Sequence, residues 1–202
     1  MQRIGFAGSD PSVTVHGMPT PSDAVSTYIL AKDGNRPFLM RRVFAEDAEL
    51  EMVVKTDAIS FPSSAKGLST IEDVLVRRFG IDYENIYTFC LSQPSEVNRR
   101  HFPCHWLVGM SARNDGQIRI GCGRYDWYFE AGAECRVERL VIAIDVMEIF
   151  PAADLAASMN WLTSLPYPWC APDEAVRAVP AIAGFAGIEA YLRKVRPVLP
   201  ER

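Results

Sequence analysis

After about residue 80 the hydrophobic period of this chain drops from near 3.6 to 2, and that switch limits what it can fold into. Four alternating segments follow, at about 85–91, 102–112, 117–130 and 136–149. Asn114-Asp115-Gly116 is a hairpin turn between the second and third, and the tip Glu130–Cys135 turns the third into the fourth. Long strands in a small domain must curve. In the third, Ile118, Ile120 and Cys122 are apolar at even positions, whereas Tyr125, Trp127 and Phe129 are large at odd ones. A change of phase requires an extra residue, so a bulge is expected near Gly121-Cys122-Gly123. The fourth segment, Leu140–Ile149, is apolar on both faces through its middle and must be covered on both.

The part before the switch is helical. Thr20-Pro21 reads as an N-cap and first helical residue. Val25, Tyr28, Ile29 and Lys32 share one face of the helix that follows, and Gly34 stops it. Asn35 is placed to cap a second helix at about 36–44. An acidic turn, Phe44-Ala45-Glu46-Asp47-Ala48, then opens into a strand at Leu50–Val54. Ser69 and Glu72 have the spacing of a capping box for a third helix burying Ile71, Leu75, Val76 and Phe79. Three regions result: an arm at 1–19, rich in Gly, Ser and Pro; a folded domain at 20–150; and a helical extension at 151–202 packed on that domain. The extension includes Leu165-Pro166-Tyr167-Pro168-Trp169-Cys170, a stiff connector or lid.

With 202 residues, 49% of them apolar, the chain has material for one sizeable core. A net charge of −4 with interspersed signs argues against nucleic acid as a partner. The longest uncharged apolar run, Leu140 to Ile144, is far short of the ~20 residues that span a bilayer. The first 21 residues carry one Arg and no continuous apolar stretch, unlike a secretory leader. Five cysteines without CxxC spacing read as reduced thiols in a cytoplasmic protein. Cys104 and His105, adjacent on a strand, point to opposite faces, so no zinc site is expected.

Tyr28-x4-Asp33, Phe44-Ala-Glu-Asp-Ala-Glu-Leu-Glu51, Gly67-x3-Ile71 and Gly123–Phe129 occur in the order that resembles the nuclear transport factor 2-like superfamily, and within it the SnoaL-like group. The resemblance covers roughly residues 20–150. It implies an α+β cone: a strongly curved, mostly antiparallel sheet with the N-terminal helices on its concave side. It also implies a homodimer formed through the outer sheet face, and no cofactor or metal.

Such cones serve many activities, so function has to come from the site. Tyr28 and Asp33 match a tyrosine and aspartate that dehydratases of this family use to handle protons. The phenol would donate to a developing enolate and the carboxylate would take a proton alpha to a carbonyl. Five residues on a regular helix set them ~140° apart, so convergence requires the helix to end at Asp33. The family histidine expected on the strand after the third helix is missing from Asn85–Cys90, with His105 as its stand-in. Alignment of the acidic turn puts Met52 where the isomerase branch has its base, with Asp57 five residues on. Trp106, Tyr125, Trp127 and Phe129 would line the pocket along with Met52 and Asp57. Each has an ordinary alternative: Tyr28 and the aromatic stripe as core, Asp33 as a local cap, His105 as a hydrogen-bonded structural residue. Asp145 is read as an interface ion pair with Arg139 or Arg119, or as a pocket acid. Two functions follow: binding of a small apolar carbonyl-bearing molecule, extending to cofactor-independent lyase, isomerase or cyclase chemistry, or a non-catalytic dimerisation module with a filled or ligand-storing cone.

Overall fold

The computed structural model describes residues 19–94, 100–132 and 134–195; the expected arm lies almost wholly outside them. Helix α1 (Pro21–Asp33) starts on a reciprocal capping box between Thr20 and Asp23, with Pro21 in its first turn. Gly34 caps its C-terminus, and the Asn35 N–H donates to the Lys32 carbonyl at φ +47°, closing α1 rather than starting a new helix. The second helix is therefore a short 3-10 segment, Pro37–Arg42.

Strand β1 (Phe44–Val54) begins six residues earlier than the sequence suggests. The acidic stretch is no turn. It is the irregular start of the strand, where Ala45–Ala48 loops out between the pairs Phe44–Val137 and Glu49–Arg139. After β2 (Ser64–Lys66), the third helix runs as α2 (Leu68–Glu72), a π turn (Asp73–Arg77) and α3 (Arg78–Asp82). Its N-cap is Gly67, at φ +83°, so the Ser69–Glu72 capping box is not formed; Ser69 already lies inside the helix. Glu72 instead receives Arg77 Nε at 2.9 Å.

Strands β3 (Tyr83–Cys90), β4 (His101–Ala112), β5 (Ile118–Phe129) and β6 (Val137–Phe150) lie close to the expected segments. The order across the sheet is β2-β1-β6-β5-β4-β3, antiparallel except for β1 beside β6. The bulge falls at the expected level of the sheet but on the neighbouring strand. β5 pairs with β4 without interruption from Ile118 to Tyr128. On its other side Cys122 pairs with Val146 and Gly123 with Ile144, which leaves Asp145 of β6 as the extra residue. That residue keeps Ile142, Ile144 and Met147 in one core despite their mixed parity.

β5 never changes phase because both of its faces are buried. Its odd-numbered aromatics Tyr125, Trp127 and Phe129 pack beneath α1, and its even-numbered Ile118, Ile120 and Cys122 belong to a second core. That second core is closed by α4 (Leu155–Ser164), α5 (Pro172–Arg177) and α6 (Ala186–Lys194), through Trp161, Leu162, Phe185, Ile188 and Leu192. Gly109 of β4 leaves the gap that the Leu162 side chain enters. The chain's own C-terminal helices thus cover the outer face over β3–β6, whereas Glu49 and Val53 of β1 stay exposed. No helix among the described residues is long and apolar enough to cross a membrane.

Candidate functional site

The inner face of the sheet and the helices above it line an apolar cavity of about 40 Å³. Tyr28 and Lys32 of α1 face it together. They are four residues apart, one helical turn, which sets them about 40° from each other on the helix surface. β4 contributes Trp106, Val108 and Met110, β5 contributes Tyr125, and β1 contributes Met52. Ile142, Ile144 and Met147 come from β6, Leu75 from the π turn and Phe79 from α3. Ile59 and Phe61, on the irregular segment between β1 and β2, complete the wall. Gly123 makes room for Trp106: a side chain there would meet the indole ring and the Ala143 carbonyl.

Four of the nine residues proposed from the sequence line this cavity: Tyr28, Met52, Trp106 and Tyr125. Trp127 and Phe129 are fully buried behind it, with the Trp127 ring 5.1 Å from that of Tyr28. Asp57 is exposed on the segment after β1 and is not part of the wall.

Asp33 does not line the cavity either. Its carboxylate takes the Thr88 N–H at 2.7 Å, the Thr88 hydroxyl at 2.7 Å, Lys32 Nζ at 3.3 Å and the Tyr167 hydroxyl at 3.0 Å. Thr88 sits on β3, the strand where the resemblance implies a histidine. Asp33 therefore ties α1, β3 and the 165–170 connector together, and both of its oxygens are engaged.

His105 lies on the outer side of β4. Its Nδ1 is 2.9 Å from the Tyr191 hydroxyl of α6, which donates to Asp145 Oδ2 at 3.1 Å. Burial, followed by the Arg124 charge, holds its imidazole below the ordinary histidine range. Cys104, its neighbour in sequence, belongs to the inner core. Asp145 pairs with Lys55 Nζ at 2.7 Å rather than with Arg139 or Arg119. Arg139 pairs with Glu51, at 2.8 Å.

Lys32 is the residue that sequence reasoning placed on the buried face but did not treat as functional. It is 7% exposed, and its Nζ donates to the Thr88 hydroxyl at 2.9 Å and stands 4.4 Å above the Phe79 ring. Burial lowers its pKa, opposed by the adjacent Asp33 carboxylate. The signal was the spacing itself: Tyr28 and Lys32 share a face at i and i+4, whereas Tyr28 and Asp33 do not. Two buried donors of the cavity residues, the Tyr28 hydroxyl and the Trp106 indole N–H, have no hydrogen-bond partner among the described residues. The Tyr125 phenol lies close enough to influence Tyr28 without reaching hydrogen-bond geometry, and burial pushes both phenols well above the ordinary tyrosine range.

This arrangement of helices on a curved sheet has counterparts among solved structures. A type 2 hexachlorocyclohexane dehydrochlorinase superposes with a TM-score of 0.51 at 13% identity, over 63% of this chain and 84% of that one. The fold is nuclear transport factor 2-like. A nuclear transport factor 2-like superfamily protein from Salmonella enterica serovar Typhimurium gives a TM-score of 0.49 at 15% identity, over 62% of this chain and 88% of its own. No protein-family model matches the chain, and neither does any curated protein. Identities this low speak to the nuclear transport factor 2-like fold and leave the reaction to the residues.

Proposed function

We propose that the protein is a SnoaL-like small-molecule-binding protein whose cone takes a compact, apolar, carbonyl-bearing ligand. One observation carries this reading: two buried donors without partners among the described residues, Tyr28 and Trp106, belong to side chains lining the same apolar cavity. A buried donor left unpaired costs about 1–3 kcal/mol. A carbonyl oxygen is the simplest group to accept from such a donor while its carbon frame meets the aliphatic wall.

The cavity volume of about 40 Å³ restricts the ligand. A water needs roughly 10–15 Å³ on this measure, and drug-sized ligands occupy pockets of roughly 300–1,000 Å³. The ligand is therefore small, and Met52, Met110 and Met147 are the wall residues that adapt to it, being unbranched and flexible. In any lyase or isomerase chemistry Tyr28 serves as the donor to the carbonyl oxygen. Asp33, itself outside the wall and engaged by four donors, orients Lys32 and Thr88 and takes no proton from the ligand. No cofactor enters this reading. The protein is taken as a cytoplasmic homodimer, for which the exposed outer face of β1 leaves sheet surface.

The small volume and the Tyr28–Trp127–Phe44 packing also support a second reading, a non-catalytic interaction module with a filled cone. Titration of 15N-labelled protein with cyclopentanone separates the two. The Trp106 indole resonance, assigned with Trp106→Phe, is expected to move saturably while those of Trp161 and Trp169 stay in place. A Trp106 resonance that does not move at any ketone concentration overturns the binding reading in favour of the filled module.

A further inference from the structure

We propose that Lys32 is an imine-forming lysine, whose ε-amine captures a small aliphatic aldehyde or ketone in the cone cavity as a Schiff base. The proposal rests on the binding reading above and adds a covalent step to it.

Three features of the site carry it. Among the described residues Lys32 is the single charged one of the cavity wall, set among aliphatic and aromatic side chains. Its amine is held in place: Thr88 Oγ1 accepts from it at 2.9 Å, Asp33 Oδ1 lies at 3.3 Å and the Phe79 ring stands 4.4 Å below. Tyr28, one turn away on the same helical face, brings a hydroxyl with no hydrogen-bond partner among the described residues. An amine nucleophile, a fixed proton acceptor behind it and a donor beside it are what carbinolamine formation needs. Desolvation in an apolar pocket also favours the neutral amine over the ammonium, and burial lowers the Lys32 pKa.

The step balances without an outside reagent. The Lys32 ammonium gives one proton to the Asp33–Thr88 pair. Its lone pair then forms the N–C bond to the carbonyl carbon while the C=O π pair moves to oxygen, which Tyr28 holds by a hydrogen bond. Transfer of one nitrogen-bound proton to that oxygen completes the carbinolamine. The nitrogen lone pair next forms C=N as the C–O bond breaks, and the proton stored at Asp33–Thr88 leaves with the oxygen as water. The sum is ammonium plus carbonyl giving iminium plus water.

The test uses the full chain, butanal as probe and sodium cyanoborohydride, which delivers hydride to C=N and fixes the imine as a secondary amine. Peptide mapping by mass spectrometry at pH 7 compares Lys32 with Lys55, Lys66 and Lys194, the other lysines of the chain. These three are exposed. Butylation of Lys32 at least about tenfold faster than of the others is expected, because the neutral amine is the reactive form. Lys32→Arg should abolish that fast phase, because a guanidinium does not take the place of the amine nucleophile. Lys32 labelling no faster than that of the exposed lysines overturns the proposal. If the Trp106 resonance still responds to cyclopentanone in that event, only the covalent step fails; if it does not, the binding reading fails as well.

Discussion

Tyr191 on α6 donates its hydroxyl proton to Asp145, the extra residue of β6, at 3.1 Å. A phenol has one proton to give, so His105 Nδ1, 2.9 Å from the same oxygen, is the protonated nitrogen of its ring. The bulge that keeps Met147 in the cavity wall is thus also where the C-terminal helices are fastened to the sheet. Tyr191→Phe should lower stability by about 1–2 kcal/mol, one hydrogen bond plus partial loss for His105, measured as a shift in urea midpoint at unchanged slope. Asp145 keeps Lys55 in that variant, which limits the loss.

A second attachment point is steric. Leu162 of α4 occupies the space that a side chain at position 109 would need. Leu162→Ala is expected to cost about 2–5 kcal/mol, the range for emptying a buried leucine site. Gly109→Ala should cost about 1–3 kcal/mol by overpacking against the same methyl groups. Combined, the two should cost less than their sum, because the shortened side chain leaves room for the new methyl. A strictly additive double-mutant cycle would show that the two residues do not share this space.

All five cysteines are buried and unpaired. Burial pushes the Cys122 thiol up, and that of Cys170 up to about 11, so little thiolate is present near neutrality. With Ellman's reagent at pH 8 the native protein should react slowly, at rates set by opening of the fold, and five thiols should appear at once in guanidinium chloride. Cys135 should lead in the native protein, because it sits on the β5–β6 connection rather than inside a strand or under α4–α6. Prompt reaction of Cys122 would mean that α4–α6 do not stay on the sheet.

What was legible in the sequence depended on whether one segment contained its own explanation. Thr20, Pro21 and Gly34 bound α1 by local rules, and Asn114–Gly116 turns β4 into β5 by local rules; both appear in the structure. The phase of β5 is not local. Ile118 and Tyr125 have opposite parity because different partners cover opposite faces, and β5 alone does not reveal that α4–α6 lie on one of them. The site divided in the same way. Tyr28 was legible as a buried residue of α1, but pairing it with Asp33 required the helix end to turn the carboxylate about 140° back toward it. The carboxylate meets Thr88 instead, and Lys32, already on the Tyr28 face, takes the place at the cavity.

The Lys32–Asp33 pair should respond asymmetrically to substitution, because without Lys32 the Asp33 carboxylate keeps three other donors, whereas without Asp33 the Lys32 amine keeps only the Thr88 hydroxyl. Asp33→Ala strands the Lys32 amine and leaves the Thr88 N–H without its acceptor, so a loss of about 3–5 kcal/mol at pH 7 is expected. Lys32→Met keeps the volume, removes the desolvated charge and leaves Asp33 its other donors, so it should lie within about 1.5 kcal/mol of the parent. The pH dependence follows from the lowered Lys32 pKa. Between the folded value and roughly 10.4, the unfolded chain binds the lysine proton and the folded chain does not. Unfolding then takes up a proton, and stability contributed through Lys32 rises with pH across that window and is lost as pH falls through the folded pKa. Tyr28 and Tyr125, both pushed upward by burial, remain neutral there and cancel in the comparison. Urea titrations at pH 7, 8, 9 and 10 should show the parent gaining on Lys32→Met as pH rises. A constant difference, or one that shrinks toward pH 10, would mean that Lys32 keeps an ordinary ammonium in the folded protein, and the neutral amine needed for carbonyl capture would lose its basis.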